Sequence, residues 1–299
     1  MTKRCIEAPS FVLDRRSLLL GMAALPFGAA AARAQQRDDL VLAFIPQEDP
    51  EKLIGDIGVI TEWLSGKLGI PVRGFVTSDH AAAVEALRNR DADISFMGAL
   101  PYVIANEYAG ATAVLQEVYR GKPTYTARLF VRRDSGITQL ADLRGKTIAF
   151  ADPISESGYF YPLDLFAKAG LLQRGEDPNR FFSRVLFAGG YQQAVQAVAN
   201  GLVDAAGASQ YADMLLSPDQ QLQVTWIGES VPIPSHSVIA RGDMDEGIRS
   251  RFVEAMLRLN EPELRHMLKY VYGPDGYVVA DLAAFEDVRE LAKAYGVLR

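Results

Sequence analysis

From Leu40 to about residue 240, short apolar runs of strand length alternate with stretches whose apolar residues recur at helical spacing. That alternation is the mark of an α/β fold. Leu40–Ile45 reads as a first strand, and Ile57, Ile60, Leu64 and Leu68 line one face of a helix that Gly69 and Pro71 close. Val72–Val76 is a second strand. Ser78 or Asp79 caps the next helix, with Val84 and Leu87 inward, and Ile94–Met97 is a third strand running into a Gly98-Ala99-Leu100-Pro101 turn. A second series has strands at Thr126–Val131, Thr147–Ala151, Val185–Phe187, Asp204–Ala208 and Val224–Ile227. Its helices open at Ser155 to Gly158, running toward Ala169, and at 191–200 after Gly189-Gly190. Ser237–Arg241 returns as a strand, and three helical stretches follow near 244–259, 261–271 and 281–295.

The stretch from Ala86 to Ile94 parallels that from Val198 to Ala205: a helix end, a turn, and a strand led by Asp93 or Asp204. Two related lobes would leave such an echo, and so would any two helix-turn-strand units. The length of 299 residues suits two lobes of roughly 100–150 residues each. No Pro-rich linker separates contiguous halves, so the expected lobes interleave: 38–124 with 241–299, and 125–240 inserted. The crossings are expected as strands near 125–132 and 235–241.

Composition narrows the function classes. Nearly half the residues, 49%, are apolar, which supplies ample core. The net charge is −6 and no basic run interleaves with aromatics, so no nucleic-acid partner is expected. Residues 1–34 read as an export signal: Lys3, Arg4, Arg15 and Arg16, then an uncharged stretch from Leu18 to Ala32, then the small-x-small tripeptide Ala32-Arg33-Ala34. Arg15-Arg16-Ser17-Leu18-Leu19 also resembles a twin-arginine signal. The only cysteine, Cys5, would leave with that segment, which excludes disulfide and thiol chemistry from the rest.

The clearest constellation is Asp152-Pro153-Ile154-Ser155-Glu156-Ser157-Gly158-Tyr159, where a strand ends, proline stops it and serines open a helix. Exposed N–H groups and hydroxyls there form an anion site, and either serine would also serve as a plain N-cap. His80, His236 and His266 are far apart with no cysteine near, so no zinc site is read. His80 opens a helix beside a strand end and His236 sits beside the second crossing, so both could face a cleft, although surface or satisfied core roles suit each better; Glu48-Asp49 reads as a solvated acidic loop.

Several strings resemble the phosphate/phosphite/phosphonate-binding proteins of ABC transporters. They are Pro46–Leu53, Ala83–Arg88, Phe96–Tyr102, Val131–Ile137, Leu140–Thr147 and the Ser155–Tyr159 stretch, spread over residues 38–299. The resemblance implies a type II periplasmic binding fold: two lobes, each a mixed sheet flanked by helices, with the ligand clamped between them. It implies a Ser-Thr-Ser grip on an oxyanion, which falls here on Ser155, Glu156 and Ser157, with Tyr102 and Tyr191 nearby. Gln47, Ser78, His80 and Ser209 complete the candidate set. It further implies a small-molecule ligand, an ABC permease in the inner membrane as partner, a monomer, a periplasmic location, no cofactor and no catalysis. The same fold can instead hand its ligand to a sensor protein.

Two residues depart from the family pattern. Glu156 stands where threonine is usual, and Gly190-Tyr191 stands where Ser-His is usual. An ionised carboxylate about 4 Å from an anion costs roughly 4 kcal/mol per charge pair at an effective dielectric of 20. Glu156 must therefore point away, carry a proton, or meet a ligand with a cationic or neutral group, such as an aminophosphonate-like zwitterion or a solute without phosphorus.

Overall fold

The computed structural model describes residues 39–47 and 49–299; the expected export signal, Cys5 and Glu48 lie outside them. The first alternating series comprises β1 (Leu40–Phe44), α1 (Pro50–Leu68), β2 (Val72–Val76), α2 (His80–Arg88) and β3 (Ile94–Met97), then α3 (Ala99–Ala109) and β4 (Thr112–Val118). Next come β5 (Thr124–Tyr125), β6 (Ala127–Arg132), β7 (Thr147–Phe150), α4 (Tyr161–Lys168), β8 (Arg184–Phe187) and α5 (Tyr191–Ala199). They are followed by β9 (Ala205–Ser209), α6 (Pro218–Gln223), β10 (Val224–Glu229) and β11 (Ile233–Pro234). β12 (Ser237–Ala240), α7 (Glu246–Leu257), β13 (Gly276–Val279) and α8 (Glu286–Ala294) come last.

Two mixed sheets form two lobes. Lobe 1 holds the order β13-β4-β12-β3-β1-β2, and lobe 2 holds β10-β6-β9-β7-β8. The chain passes from the first sheet to the second through β5 and back through β11, which pair with each other. Ser237–Ala240, grouped above with the inserted segment, belongs instead to lobe 1: β12 lies between β3 and β4. All four of its residues are buried, as an inner strand covered on both faces requires.

In each lobe the parallel core runs strand, helix, edge strand, helix, central strand, and the paired aspartates do the same work in both. Asp93 accepts a hydrogen bond from Val41 N–H at 2.9 Å, tying the start of β3 to β1. Asp204 accepts from Thr147 N–H at 2.7 Å, tying the start of β9 to β7. The echo read in the sequence is thus a repeated latch between neighbouring parallel strands.

Helices cover both faces of each sheet. On lobe 1, Leu53, Ile57, Ile60 and Leu64 of α1 pack with Phe252 and Met256 of α7, while Val84, Leu87, Val103 and Val288 fill the opposite face. On lobe 2, Val195 and Val198 of α5 cover one face and Leu163 and Phe166 of α4 the other. Each such side chain contributes about 1.5–3 kcal/mol through burial. Among the described residues no helix is long and apolar enough to cross a membrane.

Candidate functional site

The site starts from the end of β7. Asp152 folds the chain back on itself, its carboxylate accepting from Ile154 N–H at 2.9 Å, and Ser155 Oγ caps the next turn by accepting from Gly158 N–H at 3.0 Å. That turn, Glu156–Phe160, is π-helical, with Phe160 N–H reaching Ser155 C=O at 3.2 Å. Such wide turns recur at functional sites. Position 158 has to be glycine, since a Cβ there would lie 2.5 Å from that of Ala151. The result is three consecutive polar side chains, Ser155, Glu156 and Ser157, each no more than 1% exposed.

Around them the elements of both lobes converge. Tyr125 of β5 donates its hydroxyl to Glu156 Oε1 at 2.7 Å and lies 3.0 Å from Ser157 Oγ. Tyr191, first residue of α5, lies 2.8 Å from Ser157 Oγ and 3.4 Å from Ser155 Oγ. His236 sits 3.4 Å from the Tyr191 hydroxyl and 3.7 Å from Glu156 Oε1, with its other nitrogen 3.9 Å from Glu117. Burial pushes His236 down to about 4, so these are contacts of a neutral imidazole and not ion pairs. Burial also pushes Glu117 up to about 8, against the Tyr119 hydroxyl that donates to it at 2.8 Å. Tyr125 and Tyr191 are raised by burial and then by the charge of Glu156, so both stay protonated donors.

The Glu156 carboxylate lies against Gly98, the residue that opens α3. A Cβ at position 98 would collide with both carboxylate oxygens. α3 begins with no side-chain cap, and the glycine that opens it touches a carboxyl group contributed by the other lobe. Glu156 Oε2 has no hydrogen-bond partner, nor does Gln47 Nε2. Beside this cluster opens a cavity of about 260 Å³ walled by Tyr119, Tyr125, Tyr191, Tyr211 and Tyr272, with Gln47, Ser209 and His236 also on its surface. Among the described residues no three His, Cys, Asp or Glu side chains are grouped as a metal site.

Of the candidates read from the sequence, the structure brings Ser155, Glu156, Ser157 and Tyr191 together and sets Gln47 and Ser209 on the cavity wall. His80 is buried between the lobes, its backbone N–H 3.5 Å from Asp152, with its ring lowered by burial. Two candidates lie elsewhere. Tyr102 is turned into the lobe 1 core against Phe285, ring centres 4.6 Å apart, because its hydroxyl finds the backbone of Ala113 there. Ser78 is exposed and bonded to Asp79 at 3.2 Å. The residues that sequence reading missed are Tyr125, Glu117 and the cavity tyrosines Tyr119, Tyr211 and Tyr272; His236, which it allowed to face a cleft but did not count among the site residues, lies in the cluster.

The sequence profile of the family described as "ABC transporter, phosphonate, periplasmic substrate-binding protein" matches residues 42–285. The chain belongs to this family. It is 30% identical over 173 residues to the phosphate-import protein PhnD of Mycolicibacterium smegmatis, a match spanning 56% of this chain and about half, 54%, of that protein. It is 27% identical to the phosphonates-binding periplasmic protein of Escherichia coli over 79% of this chain and 70% of the relative. In fold it is similar to PhnD1 of Prochlorococcus marinus in complex with methylphosphonate, with a TM-score of 0.78 at 16% identity, covering 87% of this chain and 99% of that one. Two sheet-centred lobes with a cleft between them are the type II periplasmic binding fold, as the resemblance implied.

Proposed function

We propose that this chain is the exported, periplasmic solute-binding component of an ABC importer for small phosphonate-type solutes, phosphite and aminophosphonate-like zwitterions included. The supporting observation is the π-helical Ser155–Ser157 turn of lobe 2, shut against the opening of α3 in lobe 1 beside a small tyrosine-walled cavity. Capture needs only hydrogen-bond donors and shape complementarity, which these hydroxyls supply. The protein acts by binding, without catalysis, as a monomer whose lobes close on the solute and dock on a permease. The bodies that move are residues 39–123 with 237–299, and the inserted segment of β6 to β10. The relatives named above, a phosphate importer and a phosphonate-binding protein among them, support the ligand class.

Thermal-shift titration with methylphosphonate, phosphite, inorganic phosphate and 2-aminoethylphosphonate tests this. A true ligand at 100 times its Kd stabilises by about 2.7 kcal/mol. No shift with any phosphorus compound overturns the ligand class.

A further inference from the structure

We propose that the solute carries a flat, ring-sized apolar body on a single acid group, and that this body lies in the tyrosine-walled cavity. The inference rests on reading the cleft as the ligand site, and it narrows the solute class to arylphosphonate-like acids.

The cavity is larger than a small oxyanion needs. Its volume is about 260 Å³, whereas an apolar cavity of about 150 Å³ already accepts benzene. Methylphosphonate is no larger than benzene, so alone it would leave much of the space to water. Ordered water needs several polar partners, and Ala212, Met214 and Leu215 join the tyrosine rings in denying it them.

The rings form two groups. Among the buried ones, His236 stacks nearly parallel to Tyr191, 10° between planes with centres 6.2 Å apart, and meets Tyr125 edge-on at 5.5 Å. The half-buried Tyr119 and Tyr211, one from each side of the cleft, have ring centres 5.1 Å apart. Such faces and edges favour a further aromatic ring over an aliphatic stub, through buried area and through ring geometry.

Charge does not dictate what the cavity holds. Among the described lining residues the ionic side chains are Arg120 and Asp275; both are exposed, and the Arg120 N–H donates to the Asp275 carboxylate. His236 is neutral there, held down to about 4 by burial. The Glu156 carboxyl group lies outside the wall, against Gly98. Ser155 and Ser157 are fully buried and held by the hydroxyls of Tyr191 and Tyr125, so a solute in the cavity meets the tyrosines and not the serines. For the acid group the wall holds Gln47 Nε2, a buried donor without a partner. A neutral donor for one acid group, with aromatic faces around the rest, describes an acid on a flat apolar body.

Calorimetry at pH 7 compares phenylphosphonate, methylphosphonate and benzenesulfonate on the wild type and on Tyr211→Ala. Phenylphosphonate should bind the wild type at least 10-fold tighter than methylphosphonate. Tyr211→Ala removes one ring of the wall; it should weaken phenylphosphonate at least fivefold and change methylphosphonate less than twofold. A melting curve verifies folding of the variant, and the wild-type ranking tests the inference without it. Benzenesulfonate binding at least 10-fold tighter than either phosphonate would uphold the apolar body and overturn the phosphorus ligand. Methylphosphonate binding within 10-fold of the tighter aryl probe would overturn the inference and leave the phosphonate reading standing. Unchanged affinity of the tighter aryl probe in Tyr211→Ala, or millimolar or weaker binding of both aryl probes, also overturns it.

Discussion

The unit β1-α1-β2-α2-β3 of lobe 1 and the unit β7-α4-β8-α5-β9 of lobe 2 follow the same path through their sheets, down to the aspartate that latches the central strand. They differ where helices meet the cleft. In lobe 1, α2 is capped by Asp79, whose carboxylate accepts from Ala82 N–H at 2.7 Å, while α3 opens bare at Gly98. In lobe 2, the first helix is preceded by the π-helical turn, and α5 opens at Gly190 with no side-chain cap. A common scaffold has thus been dressed asymmetrically: lobe 2 contributes a carboxyl group and hydroxyls, and lobe 1 contributes the glycine-opened helix start that the carboxyl group touches.

The largest expected effect tests the likeness itself. Asp93→Ala removes the acceptor for Val41 N–H and the partner of Arg241, 2.8 Å away, and should cost about 3 kcal/mol of unfolding free energy in a urea titration. Asp204→Ala loses only its bonds to Thr147 N–H and Oγ1 and should cost less, about 1.5–2 kcal/mol. Equal losses would mean that Arg241 adds nothing to the lobe 1 latch.

Gly98→Ala tests the asymmetry. Its Cβ must displace the Glu156 carboxylate from beneath Tyr125, an overpacking worth about 1–3 kcal/mol, read as a lower Tm. Gly190→Ala in lobe 2 meets Pro46 C=O at 3.1 Å and a flexible Gln193 side chain, so a smaller loss is expected.

Lobe 1 also supplies the groups that titrate. Glu117, held up to about 8, keeps a proton that an unfolded glutamate gives up near 4.5, so stability falls as pH rises through that interval. His236, held down to about 4, acts in the opposite sense up to 6.5. From pH 6.5 to 8 the Glu117 loss stands alone, and it should amount to about 2 kcal/mol in melting experiments. Glu117→Gln should flatten that slope. Smallest is Asp79→Ala, which leaves α2 as uncapped as α5 and should cost about 1 kcal/mol by chemical denaturation.

Much of the scaffold was legible in the sequence because parallel strands buried on both faces leave apolar runs, as Leu40–Phe44 and Ile94–Met97 do. α3 escaped notice because it is buried nearly all round and carries proline in its first turn, so it has no polar face to set a period. The expected stretch near 261–271 is only a 3₁₀ turn at Arg265–Tyr270, and the short β13 after it left no signal. The contiguous part of the site, Ser155 to Ser157, could be seen as a strand-to-helix turn. Glu117, Tyr125 and His236 could not, since they come from separate segments that only the pairing of β12 with β4 and of β11 with β5 brings together. Tyr102 misled because a tyrosine just inside a helix can turn either way, and the backbone of Ala113 settled its direction.

The β5–β11 pair has a mechanical consequence. Two antiparallel connectors bonded to each other, Ile233 opposite Tyr125 and Pro234 opposite Thr124, behave like a short ribbon that bends across its width far more easily than it shears or twists. Motion of one sheet against the other is then reduced to close to a single swing. Tyr125 lies on the ribbon and donates to Glu156, so it sits near the pivot, where displacement is least. Opening about this ribbon parts Gly98 of lobe 1 from the Glu156 carboxyl group of lobe 2, whose other contact, the Tyr125 hydroxyl, rides on the ribbon itself.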